Sequence, residues 1–201
     1  VAAIKADLDA RGRHDFEVAV ENWTHDFNIG SMVRTANAFQ ARRVHIVGPH
    51  KWNRKGALMT ELYQHVENHP SIAQLVECWH NRIAGEIAAA RAEAGAAAFH
   101  AHEAAVHGDT AVVAAATAQV DAAEARIREL EASRVIAMDI IPGAVPMETY
   151  RFPKRCLMLF GAEGPGLSEK ALELADDVVY ISQFGSVRSI NAGAAAAVSM
   201  H

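Results

Sequence analysis

Three stretches combine residue types and spacings that could do chemistry. The first is Asn28-Ile29-Gly30-Ser31-Met32-Val33-Arg34-Thr35-Ala36-Asn37-Ala38-Phe39. It reads as a helix with Asn28 as N-cap, Gly30 allowing close backbone approach, and Arg34 on a different face from Met32, Ala36 and Phe39. The second is the apolar run Cys156–Phe160 entering the turn Gly161-Ala162-Glu163-Gly164-Pro165-Gly166, with Ser168 placed to cap a following helix. The third is Val178-Val179-Tyr180-Ile181, then the polar loop Ser182–Asn191, then an alanine-rich helix over Ala192–Met200. Glycine-bearing loops between a strand and a helix are how an α/β protein builds a ligand crevice at its strand ends. Neither loop reads Gly-x-Gly-x-x-Gly after a first strand, so dinucleotide binding is not indicated.

These loops need a sheet to hold them. Phe16–Glu21 alternates apolar and acidic residues and predicts the first strand, and Arg43–Gly48 predicts the second. Glu61–His69 is a weak strand or connector. Ser71 caps a helix with Ile72, Leu75, Val76 and Trp79 on one face. From about residue 81 to 133 alanine dominates, broken only at His107-Gly108-Asp109-Thr110. Two antiparallel helices are expected there, with Ile83 and Ile87 on the first stripe, Val113, Val120, Ile127 and Leu130 on the second, and Asp109 or Thr110 as cap. Arg134–Asp139 returns to a strand, and residues 141–153, with three prolines, read as a loop. Strand–helix alternation argues an α/β fold with a mainly parallel sheet and helices on both faces.

The three stretches together resemble the motifs of the SpoU/TrmH-type RNA 2′-O-ribose methyltransferases, of the SPOUT superfamily. The resemblance implies a single SPOUT domain over residues 1–201, with a C-terminal deep trefoil knot. It departs from that pattern at about 81–133, which reads as a helical-hairpin insert. It implies S-adenosylmethionine as cofactor, held around Leu159, Gly161, Ile181, Gln183, Ile190 and Asn191. It also implies transfer of a methyl group to a ribose 2′-hydroxyl of rRNA or tRNA. Arg34 matches the catalytic arginine. A guanidinium with pKa above about 12 is a poor base, so stabilising the developing alkoxide and holding the adjacent phosphate is the preferred role. Asn28 would hold the hydroxyl or fix Arg34. Glu163 would orient a loop or a neighbouring subunit's arginine, against a plain helix-capping role. Ser189 and Asn191 match residues that bind the target phosphate and shape the cofactor loop, and Arg188 is a further cation facing RNA. The family works as a homodimer with sites completed across the interface, so a homodimer is expected.

The totals set bounds. With 201 residues and 51% hydrophobic content, one globular domain has ample core. The net charge of −5 argues mildly against nucleic acid as partner, so the distribution of cations matters more than their sum. Lys51, Arg54 and Lys55 cluster with Trp52 just past the second predicted strand. They read either as phosphate contacts with stacking on Trp52 or as a solvated loop with Trp52 half-packed. Residues 1–14 read as a solvated terminus or an RNA-touching arm. No run is long enough to span a membrane, and the start lacks a signal-peptide core. The two cysteines, Cys78 and Cys156, are expected in the core of a cytoplasmic protein. No metal is expected: His100 and His102 do not share a helix face, and with His107 they lack a completing ligand. Two other readings remain open: a knotted methyltransferase acting on a base nitrogen, and a non-catalytic RNA-binding dimer.

Overall fold

A computed structural model describes residues 1–23, 28–186 and 189–201. Its strands are β1 (His14–Glu21), β2 (Ala41–Val47), β3 (Val66–His69), β4 (Arg134–Met138), β5 (Val145–Pro146), β6 (Cys156–Phe160) and β7 (Asp177–Tyr180). Among the described residues they form one sheet in the order β3-β2-β1-β6-β4-β7-β5. Every pairing is parallel. The helices are α1 (Ala2–Arg11), α2 (Asn28–Ala38), α3 (Ile72–Val106), α4 (Thr110–Glu131), α5 (Glu169–Leu174) and α6 (Ala192–Met200). The expected mainly parallel α/β architecture is therefore present. β5 lies in the stretch read as loop. It has only two residues, and Pro146 has no N–H to give a ladder, so it sits at the sheet edge.

The chain divides into two compact units, one made of Val1–Glu77 with Arg134–His201 and the other of Cys78–Ser133. In the first, every second strand residue feeds one core. Val18, Val20, Val44, Ile46, Ile136, Met158 and Phe160 meet Met32, Val33 and Ala36 of α2 and Ala196 and Met200 of α6. Each Val, Ile, Met or Phe among them contributes about 1.5–3 kcal/mol on burial. All five residues of β6 are buried, as an apolar run covered on both faces requires.

The alternate residues of β1 and β2 build something else. Glu17 and His45 are fully buried, and so is Arg155 at the foot of β6. Glu17 accepts hydrogen bonds from His45 Nε2 at 2.6 Å and Arg155 Nη1 at 2.7 Å. Burial pushes the Glu17 carboxyl up, but the His45 hydrogen bond and the Arg155 charge overcome it and hold the group down at about 2. The alternation that marked β1 thus carries its acid inward, to partners far away in sequence.

The second unit is an alanine-rich hairpin. On α3, Ile83, Ala90, Ala97 and Ala104 are buried, and on α4, Ala116, Ala123 and Leu130. Both sets step by seven residues, the repeat of a coiled-coil seam. Ile87, Val113, Val120 and Ile127 are only half-buried and flank that seam. Arg91–Glu131 and Arg126–Glu86 pair across it at 3.0 and 3.2 Å. Asp109 caps α4 by accepting from the Val112 N–H at 3.1 Å. Ser71 accepts from the Gln74 N–H at 3.2 Å, and α3 then runs unbroken for 35 residues.

Candidate functional site

Glycines set the geometry of the site. A Cβ on Gly161 would lie 2.0 Å from the Gly166 carbonyl carbon and 2.3 Å from the Leu167 nitrogen. Only glycine lets the end of β6 and the returning turn cross so closely. The turn closes with the Gly166 N–H donating to the Ala162 carbonyl at 3.0 Å. It is then anchored by a residue that motif reading missed. Glu21, buried at the end of β1, accepts from the Ser168 N–H at 2.7 Å and from its hydroxyl at 2.8 Å. Ser168 Oγ in turn accepts from the Ala171 N–H at 3.1 Å, capping α5 as expected.

The crossing shapes a cavity of about 540 Å³, within the usual range for a small-molecule site. Gly161, Ile181, Gln183 and Ile190 line it, together with Glu163 and Ser189; Asn191 does not. Phe160, Leu167, Leu172 and Val179 add apolar surface. Leu159 does not line it; it is buried within β6, and its neighbour Phe160 faces the cavity instead. Asp139 also lines it, at the end of β4, a position no motif marked.

Asn28, Glu163 and Asn191, one from each stretch, meet beside this cavity. Asn28 Nδ2 donates to Glu163 Oε2, and Asn191 Nδ2 donates to Asn28 Oδ1 at 3.0 Å. Asn191 Oδ1 also accepts from the Ala194 N–H at 3.1 Å, so the same side chain caps α6. Asn28 is the first residue of α2, and its side chain is a bridge between the two glycine loops. A Cβ on Gly30 would lie 2.8–2.9 Å from backbone atoms of Asn53, Gly56 and Ala57. Gly30 therefore presses the basic loop onto the start of α2.

In that loop Lys51, Arg54 and Lys55 are exposed. The Arg54 guanidinium stands over the Trp52 ring at 5.7 Å, while Trp52 also packs on the core. Its ring is thus half-packed and already stacked against a cation. Arg34 is exposed on α2 and does not line the cavity. Among the described lining residues there is no Lys, Arg or His. Arg188 lies outside the described residues.

The cavity fits an adenosyl group bearing a short polar tail. Its apolar walls suit a purine face, the loop backbones offer amides and carbonyls, and Gln183 Oε1 is buried with no hydrogen-bond partner among the described residues. Tyr150, whose hydroxyl donates to Asp177 at 2.8 Å, is pushed up by burial and by that carboxylate.

The fold is shared with several solved structures. AviRb, the SpoU methyltransferase from Streptomyces viridochromogenes, in complex with AdoMet, superposes with a TM-score of 0.60 at 22% identity, over 94% of this chain and 56% of that one. The A. aeolicus TrmH/SpoU tRNA modifying enzyme gives 0.63 at 14% identity, over 98% and 81%. A protein studied for 2-OH methylation of C/U34 on tRNA gives 0.61 at 19%, over 94% and 93%. At these identities the likeness is one of fold.

The sequence profile of the SpoU rRNA Methylase family matches residues 86–201, more than half of the chain, and the chain belongs to that family. The tRNA (guanosine(18)-2′-O)-methyltransferase of Thermus thermophilus is 49% identical over 47 residues, 23% of this chain. That match spans about a quarter of the curated relative's length, 24%.

Proposed function

We propose that the chain is an S-adenosylmethionine-dependent RNA 2′-O-ribose methyltransferase acting on tRNA or rRNA. The observation that carries this reading is the meeting of Asn28, Glu163 and Asn191 beside the cavity closed by the Gly161 crossing. S-adenosylmethionine, when bound, supplies an electrophilic methyl group on a sulfonium. Gly161, Ile181, Gln183 and Ile190 would hold its adenosyl part. Ser189, exposed at the cavity mouth, would meet the target phosphate. The basic loop Lys51–Lys55, seated by Gly30, would track the RNA backbone despite the acidic total charge.

The developing alkoxide needs a nearby cation, and the described cavity wall has none. Arg34 supplies it if it comes from a second copy, which supports a homodimer with shared sites. A deep trefoil knot at the C-terminal end belongs to the same reading, supported by the SpoU family match. The helical hairpin at about 81–133 is read as an insertion into this domain, and a cytoplasmic location suits the RNA substrates.

The test is methyl transfer from labelled cofactor to total RNA, with the product mapped by resistance to alkaline cleavage. Arg34→Ala should lower turnover by about 10²–10³-fold while leaving cofactor affinity unchanged. Mixing Arg34→Ala with a cofactor-pocket variant should restore activity through mixed dimers. Cofactor binding without turnover on any RNA, or methyl groups that do not protect against alkali, would overturn the reading.

A further inference from the structure

The buried polar layer of β1, β2 and β3 brings together a set of donors that motif reading did not anticipate. His45 of β2 lies opposite Glu67 of β3, and His69 follows two residues on, so all three side chains share one face of the sheet. His45 Nδ1 and His69 Nε2 are 3.0 Å apart. Glu67 Oε2 is 3.7 Å from each of those nitrogens. A point equidistant from three atoms at 3.0, 3.7 and 3.7 Å lies about 2.0 Å from each, which is the length of a zinc–imidazole or zinc–carboxylate bond.

The surroundings match what such an ion needs. Glu17 accepts from His45 Nε2 at 2.6 Å, which places the ring proton on Nε2 and turns the Nδ1 lone pair toward His69 and Glu67. A carboxylate behind a ligating histidine fixes its tautomer and raises its basicity. Arg43 Nε holds Glu67 Oε1 at 3.0 Å, leaving Oε2 as the oxygen that faces the two rings. Arg155 neutralises Glu17 at 2.7 Å, and Arg43 approaches the same carboxylate at 3.5 Å. The His45 and His69 side chains are 0% and 8% exposed and Glu67 is 31% exposed, so entry is from the β3 edge.

We propose that His45, Glu67 and His69 bind one divalent transition ion of the zinc class, with Glu17 orienting His45 from behind. Two imidazoles and one carboxylate select zinc-like ions over magnesium or calcium. Three protein donors leave one position for water. The ion takes the place of the proton that the two rings share. It ties the edge strand β3 to β2 just before the 48–55 loop, where the Gly48 N–H already donates to the His69 carbonyl at 2.9 Å. This site is separate from the cavity and does not rest on the methyl-transfer reading.

The experiment uses the full chain, stripped of metal by chelator and titrated with Co²⁺ alone. The expected result is one equivalent bound, with the visible absorption of a four-coordinate N/O site, displaced by one equivalent of Zn²⁺. His69→Ala should abolish the signal and Glu67→Gln should weaken binding at least about tenfold. His65→Ala, whose ring instead meets Asp9 at 3.0 Å, should leave binding unchanged, as should replacement of His100, His102 and His107 by alanine. Metal should raise the unfolding temperature of the native chain and not of Glu67→Gln. Glu67→Gln, at the half-exposed edge, decides the matter if His69→Ala does not fold. No stoichiometric binding, binding that survives Glu67→Gln unchanged, or binding lost with the hairpin histidines would leave the trio a hydrogen-bonded cluster only.

Discussion

Gly161→Ala isolates the cost of the crossing that closes the cavity. The added Cβ would sit 2.0 Å from the Gly166 carbonyl carbon, against a comfortable carbon–carbon separation of about 3.5–4 Å. Backbone on one side must therefore move by roughly 1.5 Å. That shift strains the Gly166–Ala162 hydrogen bond and the grip of Glu21 on Ser168, each worth about 1 kcal/mol. Overpacking adds about 1–3 kcal/mol, so a loss near 3 kcal/mol is expected. For a chain of this size that lowers the unfolding temperature by about 6–12 °C. Two other glycines in the same loops separate the causes. Gly164 has φ +97° and open space around it, so Gly164→Ala should cost about 1–2 kcal/mol from backbone strain alone. Gly185 has neither constraint, and Gly185→Ala should fall within about 0.5 kcal/mol of native. Thermal unfolding gives the order, and calorimetric titration with S-adenosylmethionine should show binding lost in Gly161→Ala and kept in Gly185→Ala. A Gly161→Ala protein as stable and as well bound as Gly185→Ala would refute the account of the crossing.

Asn191→Ala should cost about 1 kcal/mol as a lost cap and also weaken cofactor affinity, because it releases Asn28. Asp109→Ala should cost a similar amount on α4 with no change in cofactor affinity, and equal binding losses in the two would break the argument. Glu17 has a folded pKa of about 2 against an ordinary 4.5, so its contribution is whole above pH 4.5 and fades as the pH falls toward 2. At most about 3 kcal/mol is at stake, and urea midpoints followed from pH 7 to pH 3 should fall less steeply in Glu17→Gln. Cys156 is buried and its thiol is pushed up to about 12, so iodoacetamide at pH 8 should label half-exposed Cys78 and spare Cys156 in the folded chain; labelling at equal rates would contradict that burial.

The features legible in the sequence are those whose causes are local. β6 announces itself as an unbroken apolar run, Ser71, Ser168 and Asp109 as caps, and Gly30 as a place of close backbone approach. The seven-residue step of the hairpin was present too, but alanines carry it, and their weak hydrophobic contrast hid it behind the larger valines and isoleucines. What stayed out of sight depends on register between distant segments. Glu17 and Arg155 stand 138 residues apart, and nothing near either predicts that an acid on an alternating strand is turned inward. The same holds for Glu21 beneath Ser168, 147 residues away, and for the placing of His69 against His45 across β2 and β3. Arg34 marks a third kind of limit. Its helix is predictable and its exposure is ordinary, yet the cavity it would serve lacks a described cation within the same chain. In one copy Arg34 looks like any solvated arginine, because nothing on its own helix separates a charge held by water from one offered to a ligand.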